Sequence, residues 1–340
     1  MDFAGPSHQD RTMIGLWDTT GNEVVKALAA ERRSAGGVTS GLALTMVAVV
    51  DEKRVREAEA ACTIAAAAHP CRMLIVVRTD ITRDVNRLDA EIVVGGRLGP
   101  CEAVVMRMYG RLALHAESVV MPLLAPDSPV VTWWHSEPPE RIAYDFLGIV
   151  SDRRITDTAQ AADPVAALKQ RAADYAPGDT DLAWTRITPW RTLVASAFDT
   201  VEARVVGATV VAPEHDPTAA LMRGWLATRL HISPTLEPTT EFPRMRSVSL
   251  ECANGDVLKL TRENGTATFC RTGQHDRQLP LVRRPLGDEL AEELRRLDPD
   301  QVYSEALGAV AGIHGLDERS PTRVHIWKDP ALAAASEAAS

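Results

Sequence analysis

The chain has 340 residues, 45% of them apolar and 24% charged, which is the composition of a folded protein with more length than one ordinary core needs. Its net charge of -9 excludes nucleic-acid binding through bulk charge, because counterion release needs a basic face. No run reaches the roughly 18 apolar residues that cross a bilayer, and the five scattered cysteines do not describe a disulfide framework.

With no secretory pattern at the N-terminus, these bounds lead us to expect a cytoplasmic, reduced, two-domain chain that does not use a membrane. Residues 1–12 are polar and read as a flexible N-terminus. Asp18, Thr19 and Thr20 offer caps for a short helix through Val24, Val25 and Leu28. Gly41 to Val50 is a near-continuous apolar run of strand length. An alanine-rich helix over 54–68 is ended by Pro70, and Met73 to Val77 is again a buried strand. Such a β-α-β unit implies a parallel pair with a right-handed crossover. Strands follow over 89–94 and 102–109, then a helix over 112–124 and a strand over 129–134. The expectation for 13–160 is an α/β domain with a mixed, largely parallel sheet covered by helices.

An α+β domain is expected over 161–312. Asp163-Pro164 and Asp216-Pro217 start helices, with Asp as the cap and Pro in the first turn. Between them, a helix capped by Asp179 or Thr180 runs to about Phe198, and a strand covers 204–211. Asn254-Gly255 and Asn264-Gly265 are hairpin signals, so an antiparallel β-meander is expected over 246–283. Leu286, Leu290, Leu294 and Leu297 mark one helix face, and Asp298-Pro299 opens a last helix. The tail over 313–340 is polar and alanine-rich and reads as disordered.

The densest concentration of binding-type side chains is the segment from Pro177 to Arg191. It packs two Trp, two Arg and two Asp into fifteen residues, and Trp and Arg carry much of the energy at protein interfaces. Thr180, Trp184, Ile187, Arg191 and Val194 recur at helical spacing, which makes Trp184 a core residue. Asp181, Arg186 and Trp190 lie off that stripe. With Trp134, at the end of a strand, they are the residues expected to meet a partner.

No catalytic signature of comparable strength is present. Gly95-Gly96-Arg97-Leu98-Gly99 follows a strand, but its spacing is that of a turn and not of a dinucleotide loop. His69, Cys71 and Arg72 sit at a helix-to-strand junction without the paired ligands of a zinc site, and are read as a polar network. No serine elbow or paired-carboxylate motif emerges. We therefore expect no catalytic residues, no cofactor and no metal. The competing reading is a small-molecule or nucleotide-binding enzyme or sensor using the sheet edge near Gly95–Gly99 and Trp133–Trp134.

Six segments together resemble a known family. They are His69-Pro-Cys-Arg, Glu102-Ala-Val-Val with Tyr109-Gly110, Pro122 through Trp134, Arg154-Ile-Thr-Asp, Gly178 through Arg186, and Arg295 through Tyr303. In that order they resemble OpcA, the glucose-6-phosphate dehydrogenase assembly proteins, and the composition resembles the actinobacterial branch. The resemblance implies a non-catalytic partner of glucose-6-phosphate dehydrogenase. Such a partner acts as an assembly factor or allosteric activator that favours the active oligomer and supports NADPH production in the oxidative pentose phosphate pathway. The family supplies no catalytic residues to carry over. Self-association is left open by the sequence.

Overall fold

A computed structural model of the chain describes residues 13–34, 42–94, 101–198 and 203–321. The first half contains β1 (Met13–Leu16), α1 (Gly21–Ser34), β2 (Leu44–Val50), α2 (Val55–Ala68), β3 (Cys71–Arg78), β4 (Arg87–Val94), β5 (Glu102–Tyr109), α3 (Glu117–Val120), β6 (Val130–Trp134), α4 (Phe146–Ile149) and β7 (Arg153–Thr156). There follow α5 (Pro164–Ala173), β8 (Asp179–Asp181), α6 (Leu182–Arg186), α7 (Thr188–Ala197), β9 (Val205–Ala212), α8 (Pro217–Leu230) and β10 (Thr235–Pro238). The last described elements are β11 (Ser247–Cys252), β12 (Val257–Glu263), β13 (Thr266–Arg271), β14 (Arg277–Pro280), α9 (Leu286–Leu294) and α10 (Gln301–Ala311). No helix among the described residues is long and apolar enough to cross a membrane.

The chain divides into two compact units. The first holds residues up to Ser136 together with 150–155 and 285–297. The second holds 137–149, 156–284 and the residues from Asp298 on.

In the first unit the strand order is β1-β4-β5-β3-β2-β6-β7. The pairs β2/β3, β2/β6, β3/β5 and β6/β7 are parallel, while β4 and β1 add antiparallel at one edge. Every residue of β2 is buried, as expected of a central parallel strand covered on both faces. The mixed, largely parallel α/β sheet expected from sequence is therefore present. Between β5 and β6 the expected helix over 112–124 is replaced by two 3-10 turns, Gly110–Leu114 and Met121–Leu123, around the single turn of α3. Pro122 and the branched Val119 and Val120 disfavour a longer helix there. Helix α9 belongs to this unit and crosses α2 closely. A Cβ on Gly287 would stand 2.5 Å from the Ile64 Cβ, so only glycine fits the crossing.

In the second unit the sheet order is β10-β9-β11-β12-β13-β14. Only β10/β9 is parallel, and β11 to β14 form the expected antiparallel meander. Its turns use positive φ at Gly255 (86°), Asn264 (46°) and Gly265 (83°), conformations that Gly and Asn adopt most readily. One face of this sheet, with Ala208, Val210, Val248, Leu250, Leu258, Leu260 and Ala267, joins the core that α5 to α8 and α10 complete. Asp163 and Asp216 cap α5 and α8 through the N–H groups of Ala166 and Thr218. Two boundaries differ from expectation. Asp300, not Asp298, caps α10. The helix expected from Asp179 to Phe198 is split at Ile187 into α6 and α7, because Pro189 has no N–H for a continuous ladder but suits the first turn of a new helix.

Candidate functional site

The segment from 177 to 191 carries a dense set of hydrogen bonds in the second unit. Gly178, at φ 98°, turns the chain into β8. Asp181 is completely buried and caps α6 by accepting from the Ala183 N–H at 2.9 Å. It also accepts from Thr156 Oγ1 at 2.7 Å, from the Thr158 N–H at 3.0 Å and from Thr158 Oγ1 at 3.1 Å. Neighbouring Asp157 receives a two-pronged bond from Arg186, at 2.6 and 2.8 Å. Burial, followed by the charge of Asp157, pushes the Asp181 carboxyl up to about 6, against the opposing pull of the Thr156 hydroxyl and the Ala183 and Thr158 amides.

Trp184 extends the same knot. Its indole N–H donates to Asp300 Oδ2 at 2.8 Å, and its ring centroid lies 5.7 Å from that of Tyr303. Asp300 in turn accepts from the Tyr303 N–H at 3.0 Å. Arg191 lies over the Trp184 ring, 3.6 Å from its centroid. Trp190 is 2% exposed and belongs to the unit's hydrophobic core.

These positions correct the expected partner surface. Asp181 and Trp190 are interior side chains, and the Arg186 guanidinium is committed to Asp157 and largely covered. Trp134 lies in the other unit and is 1% exposed in β6. Helical spacing misleads here because α6 is covered on more than one face: residues 156–158 close over Asp181 while Trp184 faces α10. Trp184, read as core, is core.

The polar network expected of His69, Cys71 and Arg72 is three separate contacts. His69 Nε2 bonds the Ala291 carbonyl at 3.0 Å. Cys71 is pushed up by its hydrogen bond with Cys101 and by burial, which leaves it a protonated thiol. Arg72 donates to Glu102 at 2.8 Å and to the Leu123 carbonyl. Arg32 bonds the same fully buried carboxylate through two nitrogens, so Glu102 is clamped between two guanidiniums. Among the described residues no group of three or more His, Cys, Asp or Glu side chains is placed to hold a metal ion. The stretch Gly95–Gly99 lies outside the described residues, and Trp133 and Trp134 are buried in the first unit.

The large exposed aromatic is a residue that sequence reading passed over. Among the described residues, Trp17 is the only aromatic among the exposed large apolar side chains, at 63% exposure. It follows the edge strand β1, whose Met13 is also exposed. Its backbone is nevertheless held. The Asp18 N–H donates to Asp89 at 2.9 Å and the Thr19 N–H to the Leu88 carbonyl at 2.8 Å. Trp17 folds back over Gly15, where a Cβ would stand 3.4 Å from the indole nitrogen. The signal available in sequence was the alternation Met13, Gly15, Trp17, which places all three on one side of a strand. A large aromatic on a fixed backbone loses little entropy on docking.

Two models of one family, described as a glucose-6-phosphate dehydrogenase subunit, match in tandem. The model of its N-terminal domain covers residues 62–173, and the model of its C-terminal domain covers 177–307. The knot described above ties these two stretches together, with Thr156, Asp157 and Thr158 from the first bonded to Asp181 and Arg186 from the second. A putative OxPP cycle protein OpcA from Synechococcus elongatus is 29% identical over 265 residues, covering 62% of this chain and 59% of that protein. Its namesake from Synechocystis is 27% identical over 240 residues, covering 66% and 46%. The chain thus spans about half the length of these relatives. A 3-ketoreductase from Actinomadura kijaniata, solved with NADP, overlaps 79% of this chain and 94% of its own at 12% identity and a TM-score of 0.44. Biliverdin reductase from Synechocystis overlaps 81% and 99% at 10% identity and a TM-score of 0.37. Overlap that loose carries no functional argument.

Proposed function

The chain belongs to the OpcA family of glucose-6-phosphate dehydrogenase subunits, and from that premise we propose that it is a non-catalytic partner that binds glucose-6-phosphate dehydrogenase and favours its active, assembled form. The observation that carries this reading is Trp17, a large aromatic held out on a fixed backbone at a sheet edge. Such a side chain is costly to leave in water and valuable at a protein contact. The titratable groups of the motif segments support the same reading. Asp157, Asp181, Arg186, Glu102 and Arg72 are engaged with one another or with backbone, which is the state of structural groups and not of groups awaiting a substrate.

The mechanism is linkage. A protein that binds the assembled, active enzyme more tightly than the dissociated or inactive one shifts that equilibrium by the difference in binding free energy. A tenfold preference corresponds to about 1.4 kcal/mol. Through such a shift the chain would support NADPH production in the oxidative pentose phosphate pathway. The test is to mix the purified chain with the dehydrogenase of the same organism and follow mass by light scattering alongside activity. A species containing both chains, with higher activity than the enzyme alone, supports the proposal. An enzyme unchanged in both mass and activity refutes it.

A further inference from the structure

A second feature lies in the two Asn-Gly turns of the meander and is independent of the dehydrogenase. Asn264 and Gly265 join β12 to β13, and Glu263 pairs with Thr266, so this hairpin has a two-residue loop. Both loop residues have positive φ, 46° and 83°, as a type I′ turn requires. Asn254 and Gly255 lie in the longer loop between β11 and β12, beyond the pair Glu251 and Val257. Asn254, Gly255 and Asn264 are exposed, and Gly265 is half-buried.

The two turns hold their asparagines differently. Asn254 is pinned through both side-chain atoms: its Oδ1 accepts from the Asp256 N–H at 3.1 Å, and its Nδ2 donates to Asp256 Oδ2 at 3.1 Å. The first of these is the local contact that asparagine favours in turns. The Gly255 N–H is also committed, donating to the Cys252 carbonyl at 2.9 Å. Among the described residues, by contrast, neither the Asn264 side chain nor the peptide group between Asn264 and Gly265 is hydrogen-bonded. The anchor of that turn lies one peptide further on, where the Gly265 carbonyl accepts from the Leu281 N–H at 2.9 Å. Gly265 has no Cβ to shield its own nitrogen.

We propose that Asn264 is a site of spontaneous deamidation and isomerisation, and that the fold protects Asn254 from the same reaction. The Gly265 amide nitrogen gives up its proton to solvent base and attacks the Asn264 side-chain carbon Cγ. A nitrogen–carbon bond forms, the bond from Cγ to Nδ2 breaks, and the departing nitrogen takes a proton from water and leaves as ammonia. The product is a cyclic succinimide. Water then opens the ring at one of its two carbonyls, giving aspartate or isoaspartate. Ring closure needs a Gly265 nitrogen free to lose its proton and a peptide free to rotate towards Cγ. The turn at Asn264 meets both conditions, and the bonded turn at Asn254 meets neither. Aspartate keeps the hairpin, since Asp-Gly also suits a type I′ turn, and it adds a negative charge next to Glu263, the partner of Arg246. Isoaspartate routes the main chain through Cβ and lengthens a loop whose register allows only two residues.

The experiment uses the full chain alone, so its outcome is separate from that of dehydrogenase binding. The chain is held in mildly alkaline buffer at physiological temperature, folded in one sample and unfolded by guanidinium chloride in the other. Peptide mass mapping reads the exchange of amide for acid at each asparagine, and labelling by isoaspartyl methyltransferase reads isoaspartate. In the folded chain Asn264 is expected to convert at least tenfold faster than Asn254. In the unfolded chain the two, each followed by glycine, are expected to convert at similar rates. Equal rates in the folded chain, a faster Asn254, or an unconverted Asn264 overturns the proposal. The same ratio in both samples also overturns it, because the preference would then come from neighbouring sequence and not from the turn.

Discussion

The segment from 177 to 191 and the edge from 13 to 17 divide between them the two properties expected of a binding surface. The first is rich in Trp, Arg and Asp, and nearly all of it faces inward. The second is short and chemically quiet, yet it holds out Trp17. A dense run of aromatic and charged residues marks the place where a fold has most to satisfy. Buried charges and buried polar groups are stabilised by partners, so such residues attract one another inside the molecule. An exposed anchor needs only a firm backbone.

The largest test of that contrast is Trp190→Ala. If Trp190 is core, its loss costs about 4 kcal/mol of unfolding free energy through the cavity it leaves. Urea titration reads this directly, and a cost near zero would return Trp190 to the surface. Next is Arg186→Ala, which strands the buried Asp157 carboxylate beside Asp181. The expected loss is about 3 kcal/mol, again by urea titration, and Arg186→Lys should recover only part of it because one ammonium cannot replace the two-pronged contact.

A smaller and more specific effect comes from Asp181. Its folded value of about 6 lies above the ordinary carboxylate value of 3.8. The folded state therefore holds this proton more tightly than the unfolded state. Its contribution is fully present below about pH 4 and is lost as pH rises through 6. The change is on the order of 3 kcal/mol at one pKa unit per 1.36 kcal/mol. Comparing wild type with Asp181→Asn from pH 4 to 7 isolates this group. Wild type should lose stability relative to the variant across that window, and parallel curves would show that Asp181 does not titrate there. The smallest effect is expected at the other region. Trp17→Ala should change the unfolding free energy by less than about 0.5 kcal/mol, as ordinary surface substitutions do.

Much of the architecture was legible because it rests on local chemistry. Asp163-Pro164 and Asp216-Pro217 start helices where they stand. Asn264-Gly265 turns a hairpin because its two residues accept positive φ. The apolar run through β2 is a central strand. What was not legible depends on segments distant in sequence. Asp181 is sealed by Thr156 and Thr158, and Trp184 is answered by Asp300, neither of which the helical spacing of 180–194 can reveal. Helix α9 packs on α2 from the far end of the chain, where Gly287 alone hints at a close neighbour. Arg246 and Arg262 meet only through strand register, since they are far apart along the chain.

Whether the proposed contact with the dehydrogenase runs through the edge at 13–17 is decided by one affinity comparison. The dissociation constant of the purified chain for its dehydrogenase is measured for wild type and for Trp17→Ala, with melting curves of both. Binding through the edge at 13–17 requires at least tenfold weaker affinity in the variant, about 1.4 kcal/mol, with an unchanged melting temperature. Equal affinity of the two proteins for the enzyme would contradict it.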